Sequence, residues 1–297
     1  MPELPEVELL RRELDAALPG RWIVGVDVRL PKVFRADPGL DCRDLVGVEV
    51  RSVARRGKHL MAHLSGDLCL VLHLRLSGQL VLRQGEATLA AGGHPVPRFD
   101  VQLPHKSTHI IFDFAAVDGE PASPAATRLY FTDIRQFGFC HLMASERLAG
   151  YLEAKSLGPE AIADSLTLEE FARIVGRRPR ARLKSLLLDQ SAVSGLGNIY
   201  ADEALFLARL YPQRQAGSLA LLEVSSLLEG IRAALGYALE NGVAHVVNGR
   251  ASPGTEFPRV HGREGELCPR CGAEIVRLRL GGRSTYFCPS CQPERAD

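Results

Sequence analysis

Met1-Pro2-Glu3-Leu4-Pro5-Glu6-Val7-Glu8 opens the chain and admits two readings. One is an ordinary helix start. Prolines sit near the first turn, Glu3, Glu6 and Glu8 suit the positive end of the helix dipole, and Val7, Leu10 and Leu14 share one face until Pro19-Gly20 ends the helix. The other reading is chemical. If the initiator Met is removed, the ring nitrogen of Pro2 becomes a free secondary amine. With a reference pKa of roughly 7.7 to 8.0 such an amine is a nucleophile at neutral pH, and its attack on a sugar C1′ or an aldehyde gives an iminium. Glu3 is placed to carry protons for it. On these residues alone the capped helix is the simpler reading.

Outward from this stretch the pattern turns to short β-branched segments. Residues 22–28, 46–53, 60–64, 68–74, 79–83, 109–114, 128–132 and 139–143 read as strands, separated by Gly, Pro or Asp turns, and predict an antiparallel sandwich or barrel. Residues 85–97 and 115–127 are long, rich in small residues, and read as mobile loops. Near Lys155-Ser156-Leu157-Gly158-Pro159 the period changes. Residues 168–175, 181–189, 198–210 and 219–241 have helical spacing, the last stopping before Gly242. The expected class is α+β and multidomain, with divisions at 1–154, 155–260 and 261–297.

Composition bounds the rest. The chain has 297 residues, 46% of them hydrophobic and 24% charged, enough for more than one core. No apolar run reaches the ~18 residues of a membrane span, and the acidic start is no signal peptide, so a cytoplasmic protein is expected. The net charge of +1 does not mark a nucleic-acid binder. Its distribution says more: Arg173, Arg177, Arg178, Arg180, Arg182 and Lys184 form a run without an acid, and Arg51, Arg55, Arg56 and Lys58 form a second cluster. Such runs are either solvated faces or phosphate contacts.

Seven cysteines, an odd number, argue against a disulfide framework. Cys42, Cys69 and Cys140 stand singly in strand-like surroundings and read as inert. Cys268, Cys271, Cys288 and Cys291 have the C-x₂-C-x₁₆-C-x₂-C spacing of a tetrahedral zinc site. Four sulfur ligands leave no open position, so one structural Zn²⁺ is expected, with a hairpin between the two knuckles. At the tip of that hairpin, Arg279 and Arg283 flank Gly281-Gly282. An arginine there can reach a phosphate, or can simply be a solvated turn residue. Lys184 to Glu203 reads as helix, glycine-rich turn, helix, whose second amino end can hold a phosphate.

Taken together, Met1 to Glu8, Lys184 to Glu203 and the four-cysteine ribbon resemble the formamidopyrimidine-DNA glycosylase and endonuclease VIII family over almost the whole chain. The resemblance implies a helix-two-turn-helix between residues 155 and 260, and a β domain bearing the N-terminal proline as nucleophile. It implies Pro2, Glu3, Glu6, Lys58 and Arg283 as catalytic residues. His73, Leu76, Arg135, Phe137, Arg180 and Asn198 become DNA contacts, with Leu76, Arg135 and Phe137 filling the gap left by an extruded nucleotide. The sequence also departs from the family: Leu76 stands where Met is usual, Gln136 replaces a basic residue, Ser107 replaces a histidine before His109, and residues 242–259 are short for a loop that clamps an oxidised purine.

The expected function is a bifunctional DNA glycosylase and AP lyase, a monomer acting on double-stranded DNA that holds damaged bases or abasic sites. Leu4 matches the oxidised-purine branch. Two alternatives stay open: an endonuclease VIII-like oxidised-pyrimidine glycosylase, and a damaged-DNA-binding protein of the same fold without activity. Pro2 can act only if Met1 is removed.

Overall fold

The computed structural model describes residues 1–115, 126–162, 166–243, 246–247 and 250–294. The chain divides into two compact units, Met1–Lys155 and Ser156–Asp297.

The first unit starts with helix α1 (Leu4–Ala17), whose buried face carries Val7, Leu10 and Leu14 as their spacing requires. Among the described residues ten strands follow: β1 (Ile23–Val28), β2 (Phe34–Ala36), β3 (Val50–Arg56), β4 (His59–Leu64), β5 (Leu68–His73), β6 (Gly78–Gln84), β7 (Ala87–Gly93), β8 (Thr108–Phe114), β9 (Thr127–Asp133) and β10 (Phe139–Ala144). They form two five-stranded sheets, ordered β1-β8-β9-β6-β7 and β2-β10-β5-β4-β3. All pairs are antiparallel except β2 with β10. One core joins them, with Leu60, Leu72 and Leu142 from one sheet meeting Leu80, Phe112 and Phe131 from the other and Leu10 and Leu14 from α1. A short helix, α2 (Leu148–Glu153), covers Met61, Cys69, Val71 and Met143 on the other face of the second sheet.

Strand β7 corrects the expectation of a mobile loop over residues 85–97. Ala87-Thr-Leu-Ala-Ala-Gly-Gly93 has a single β-branched residue, Thr88, yet it pairs with β6 through Leu82↔Ala90, Val81↔Ala91 and Leu80↔Gly92. The small residues have a packing cause. Helix α1 lies against β7, and a Cβ on Gly92 would stand 2.8 Å from Leu10 Cβ. The Ala91 N–H also donates to Glu13 Oε2 at 2.9 Å. Of the second expected loop, residues 116–125 lie outside the described residues, and Thr127 already belongs to β9.

The second unit holds α3 (Leu168–Gly176), α4 (Leu183–Leu188), α5 (Asn198–Leu207) and α6 (Leu221–Asn241). Thr167 caps α3 by accepting from the Glu170 amide, and Gly242, with φ of 98°, ends α6. The helices enclose Phe171, Leu187, Tyr200, Leu205, Leu227 and Ile231. Two short strands, β11 (Val246–Val247) and β12 (Arg250–Ala251), precede the hairpin β13 (Val276–Leu280) and β14 (Arg283–Phe287). Gly281 and Gly282 turn that hairpin with φ of 55° and 78°, values that other residues resist. A separate small core of Phe206, Val260, Ile275 and Tyr286 underlies the cysteines. No helix among the described residues is long and apolar enough to cross a membrane.

Candidate active site

The start of α1 is built to hold the chain's amino end still. Pro2 and Glu3 are buried, and the Glu3 N–H donates to Glu6 Oε2 at 2.8 Å, so Glu6 satisfies a donor that the helix leaves unpaired. Burial holds the amino group of Met1, the residue next to the Pro2 nitrogen, below its usual range. Glu3 and Glu6 oppose that shift, while Lys58 and Arg135 reinforce it. These surroundings press on the amino end in the direction that favours a neutral amine, the form a nucleophile requires. Four of the residues expected from the sequence thus act on one nitrogen. His94 joins them unannounced: burial lowers it, and its imidazole feels the terminal amine, Asp133 and Arg135. It had no readable signal because it follows the unrecognised β7.

Lys58 leaves the turn between β3 and β4, where Gly57 has φ of 59°. Arg55 fixes that turn on α1. Its Nε donates to Glu8 Oε2 at 2.9 Å and its Nη1 to Gly57 O at 3.0 Å. Burial would raise the Glu8 carboxyl, but hydrogen bonds from Arg11, Arg55 and Arg12 outweigh it and hold the group at about 2. Arg55 is therefore an internal brace rather than part of a basic cluster facing phosphates. Arg51 is likewise paired, with Glu49 at 3.3 Å.

Leu76, Arg135 and Phe137 do not sit in strands. Leu76 is half-buried in the β5–β6 connection, and Arg135 and exposed Phe137 occupy the β9–β10 connection with the guanidinium 5.2 Å from the ring centroid. Each connection holds a non-glycine residue at positive φ, Arg75 at 52° and Gln136 at 59°, so backbone strain is stored in both. The group that maintains it is Asp133, fully buried at the end of β9. Its carboxylate accepts from the amides of Arg135 at 3.1 Å, Phe137 at 2.9 Å and Gly138 at 2.7 Å, and from the Ser77 hydroxyl. Ser77 Oγ in turn accepts from the Arg135 amide at 3.1 Å, which ties the two connections together. Neither Asp133 nor Ser77 was singled out in the sequence. Asp133→Ala leaves these buried donors unpaired and is expected to cost about 3 to 5 kcal/mol of stability, read from urea unfolding. Hydrogen exchange at residues 134–138 is expected to rise with it; unchanged exchange there would count against Asp133 as the organiser.

His73 ends β5, its Nδ1 accepting from the Arg75 amide at 2.9 Å. Ser107, in place of a histidine, contributes its carbonyl to the Asp133 amide, and His109 Nε2 lies 2.8 Å from Asp133 O.

In the second unit Asn198 is the first residue of α5. Its Nδ2 donates to Ser284 O at 2.9 Å, which joins the helical hairpin to the β13–β14 hairpin beside Arg283. Arg283 and Arg180 are exposed. The rest of the basic run is mostly internal or paired. Lys184 is buried, with Nζ donating to Asn198 O at 2.8 Å and pairing with Asp202 Oδ1 at 2.5 Å; Arg173 pairs with Glu170 and Arg178 with Asp189. Within the run Lys184 braces α5, while Arg173 and Arg178 are paired elsewhere and Arg180 stays exposed.

The four cysteine sulfurs lie within 4.8 Å of one another, with Cys268 to Cys291 at 3.9 Å and Cys271 to Cys288 at 3.4 Å. Four sulfurs each ~2.3 Å from a tetrahedral zinc would stand about 3.8 Å apart, so the donor set fits the ion. Outside this cluster, buried Cys69 is pushed up to about 12 and Cys140 is also raised by burial, as inert thiols should be.

A β-sandwich that buries its amino end, together with a helical hairpin joined to a four-cysteine ribbon, defines a class of multidomain proteins. Residues 1–140 match the formamidopyrimidine-DNA glycosylase N-terminal domain, residues 157–248 its H2TH domain, and residues 265–293 the zinc finger found in FPG and IleRS. A formamidopyrimidine-DNA glycosylase from Pelotomaculum thermopropionicum is 41% identical, covering 98% of this chain and 99% of its own. One from Heliobacterium modesticaldum is 40% identical over 98% of this chain and 100% of its own. A solved Lactococcus lactis FPG mutant bound to Fapy-dG-containing DNA superposes with a TM-score of 0.82 at 31% identity, covering 99% of this chain and 100% of that one. The chain belongs to the formamidopyrimidine-DNA glycosylase family.

Proposed function

We propose that the chain is a base excision repair DNA glycosylase with AP lyase activity, acting on oxidised purines in duplex DNA. The observation that carries this reading is the buried amino end of the chain, where Pro2 and Glu3 are enclosed and Glu3, Glu6, Lys58 and Arg135 act on the amino group of Met1 beside the Pro2 nitrogen. The relatives named formamidopyrimidine-DNA glycosylase support the purine assignment; Lactococcus FPG itself is solved with both Fapy-dG and oxidised-pyrimidine DNA.

In this reading Met1 is removed and the Pro2 nitrogen attacks C1′ of an extruded nucleotide. The C1′–base bond breaks and the base leaves with a proton. Glu3 manages the proton of the opening sugar, and Glu6 holds Glu3 in place. The resulting iminium acidifies the C2′ protons. Loss of one expels the 3′ phosphate, and a further elimination expels the 5′ phosphate. Lys58, His73, Arg180, Asn198 and Arg283 contact the backbone, while Leu76, Arg135 and Phe137 occupy the vacated stack. Residues 1–154 are the catalytic part, 155–260 the helical DNA-binding part and 261–297 the ribbon. The bound zinc fixes the ribbon and takes no part in the chemistry. The protein works as a monomer in the bacterial cytoplasm.

Borohydride trapping on duplexes that each carry one lesion tests this. Wild type is expected to form a covalent adduct with 8-oxoguanine, formamidopyrimidine and abasic duplexes, and Glu3→Gln to trap far less on the base lesions. Absence of any adduct with wild type would refute the enzyme reading, and trapping confined to oxidised pyrimidines would move the lesion class.

A further inference from the structure

The outer face of the β2-β10-β5-β4-β3 sheet carries a cluster that the catalytic reading does not use. Strand register builds it. His59 on β4 pairs across to His73 on β5, and His73 pairs to Phe139 on β10. One register step on, Arg35 of β2 stands beside His141 of β10. The His59 and His73 rings meet edge-on at 4.5 Å, and His73 stacks on Phe139 at 5.8 Å. Tyr151 of α2 closes the group, 6.2 Å from His59 and 5.5 Å from His141.

Three cations lie on these rings. The Arg35 guanidinium is 4.3 Å and the Arg75 guanidinium 5.7 Å from the same Phe139 centroid, and Lys155 Nζ is 4.5 Å from the centre of Tyr151. Among the described residues none of the three has a carboxylate partner. Asp37, the acid that reaches the cluster through His141, is engaged by His141 at 3.2 Å and Arg147 at 3.3 Å. Burial lowers His59 to about 4 and holds His73 well below its usual range, and Arg75 and Lys155 press both the same way. Among the described residues, the buried His59 Nδ1 and Tyr151 hydroxyl meet no hydrogen-bond partner. Positive charge thus gathers over neutral rings without an acid to balance it. Such an arrangement costs stability by self-repulsion unless an anion completes it. Guanidinium planes laid on a ring keep their N–H edges free for phosphate oxygens. His73 accepts at Nδ1, so its Nε2 carries the proton and can donate as well. Lys58 directly precedes His59, whose ring meets His73, so the turn that carries Lys58 adjoins the cluster.

We infer that Arg35, Arg75 and Lys155, seated on Phe139 and Tyr151, form a phosphate-binding track that extends from Lys58 and His73 and holds the DNA backbone beside the lesion. The inference rests on the proposed action on DNA, and a duplex is favoured over a free phosphate because the cations come from three separate segments, β2, the β5–β6 connection and the chain after α2, and sit over two different rings.

The test is the salt dependence of binding to a duplex with an abasic-site analogue. Each phosphate contact contributes about 0.9 to the slope of log K against log salt, so Arg35→Gln/Arg75→Gln/Lys155→Gln is expected to lower the slope by about 2 to 3. The exposed single variants Arg35→Gln and Lys155→Gln, each expected to lower it by about 0.9, guard against misfolding of the triple variant. Borohydride trapping at saturating protein should be retained in all of them. An unchanged slope overturns the track, as does weaker binding with an unchanged slope, which would mark a structural role only. If wild type binds with the expected slope but never traps, the glycosylase reading fails and the track stands. Inorganic phosphate that competes as well as DNA at equal phosphate concentration would replace the duplex with an isolated anion site and overturn the track.

Discussion

Stripping zinc from Cys268, Cys271, Cys288 and Cys291 is expected to unfold residues 265–293 outright. Beneath the cysteines lies only a small core of Phe206, Val260, Ile275 and Tyr286. Structural zinc contributes about 10 to 16 kcal/mol in comparable peptides, as much as the whole stability of an ordinary domain. The helices have their own core around Phe171, Tyr200 and Leu227 and should survive. What is lost with the ribbon is the Ser284 carbonyl that holds the Asn198 side chain, and the seat of Arg283. Chelation should therefore abolish amide protection in β13 and β14, leave that of α5 and α6 largely intact, and weaken binding to an abasic-analogue duplex by at least about tenfold. Protection that persists in the hairpin after full metal release would show that the ribbon stands on its apolar contacts alone.

Chains that keep Met1 are expected to form no covalent adduct at all. The Pro2 nitrogen is then an amide whose lone pair is delocalised, and the Met1 amine beyond it is primary and one residue displaced from the site. Removal of the nucleophile from a coupled catalytic group costs at least about 10³-fold in rate. Intact mass gives the processed fraction of a preparation, and the trapped fraction at long times should equal it. Trapping above that fraction would assign the attack to another amine, with buried Lys58 as the first to examine.

The large features were legible because they rest on local physics. The apolar face of α1, the short apolar runs of β4 to β6, the stop at Gly242 and the paired knuckles all follow from short-range patterns and turn chemistry. The candidate site was legible mainly through resemblance, since Pro2, Lys58 and Phe137 carry no intrinsic mark of chemistry. What escaped depends on tertiary placement. Asp133 looks like any strand-ending acid until the amides of Arg135, Phe137 and Gly138 fold around it. Arg55 and Lys184 read as basic-run members but turn inward to Glu8 and Asp202. His59, His73, Phe139 and Arg35 are far apart in the chain and meet only through sheet register.

Strand β7 also bears on how this sequence can drift. A side chain on Gly92 would meet Leu10, and one on Gly93 would stand 2.5 Å from Gly78 O. Leu10 belongs to the helix that begins at the amino terminus. Because the nearest atom is Leu10 Cβ, which every residue but glycine keeps, trimming position 10 makes no room, and position 92 should stay glycine among descendants of this chain, although it takes part in no chemistry.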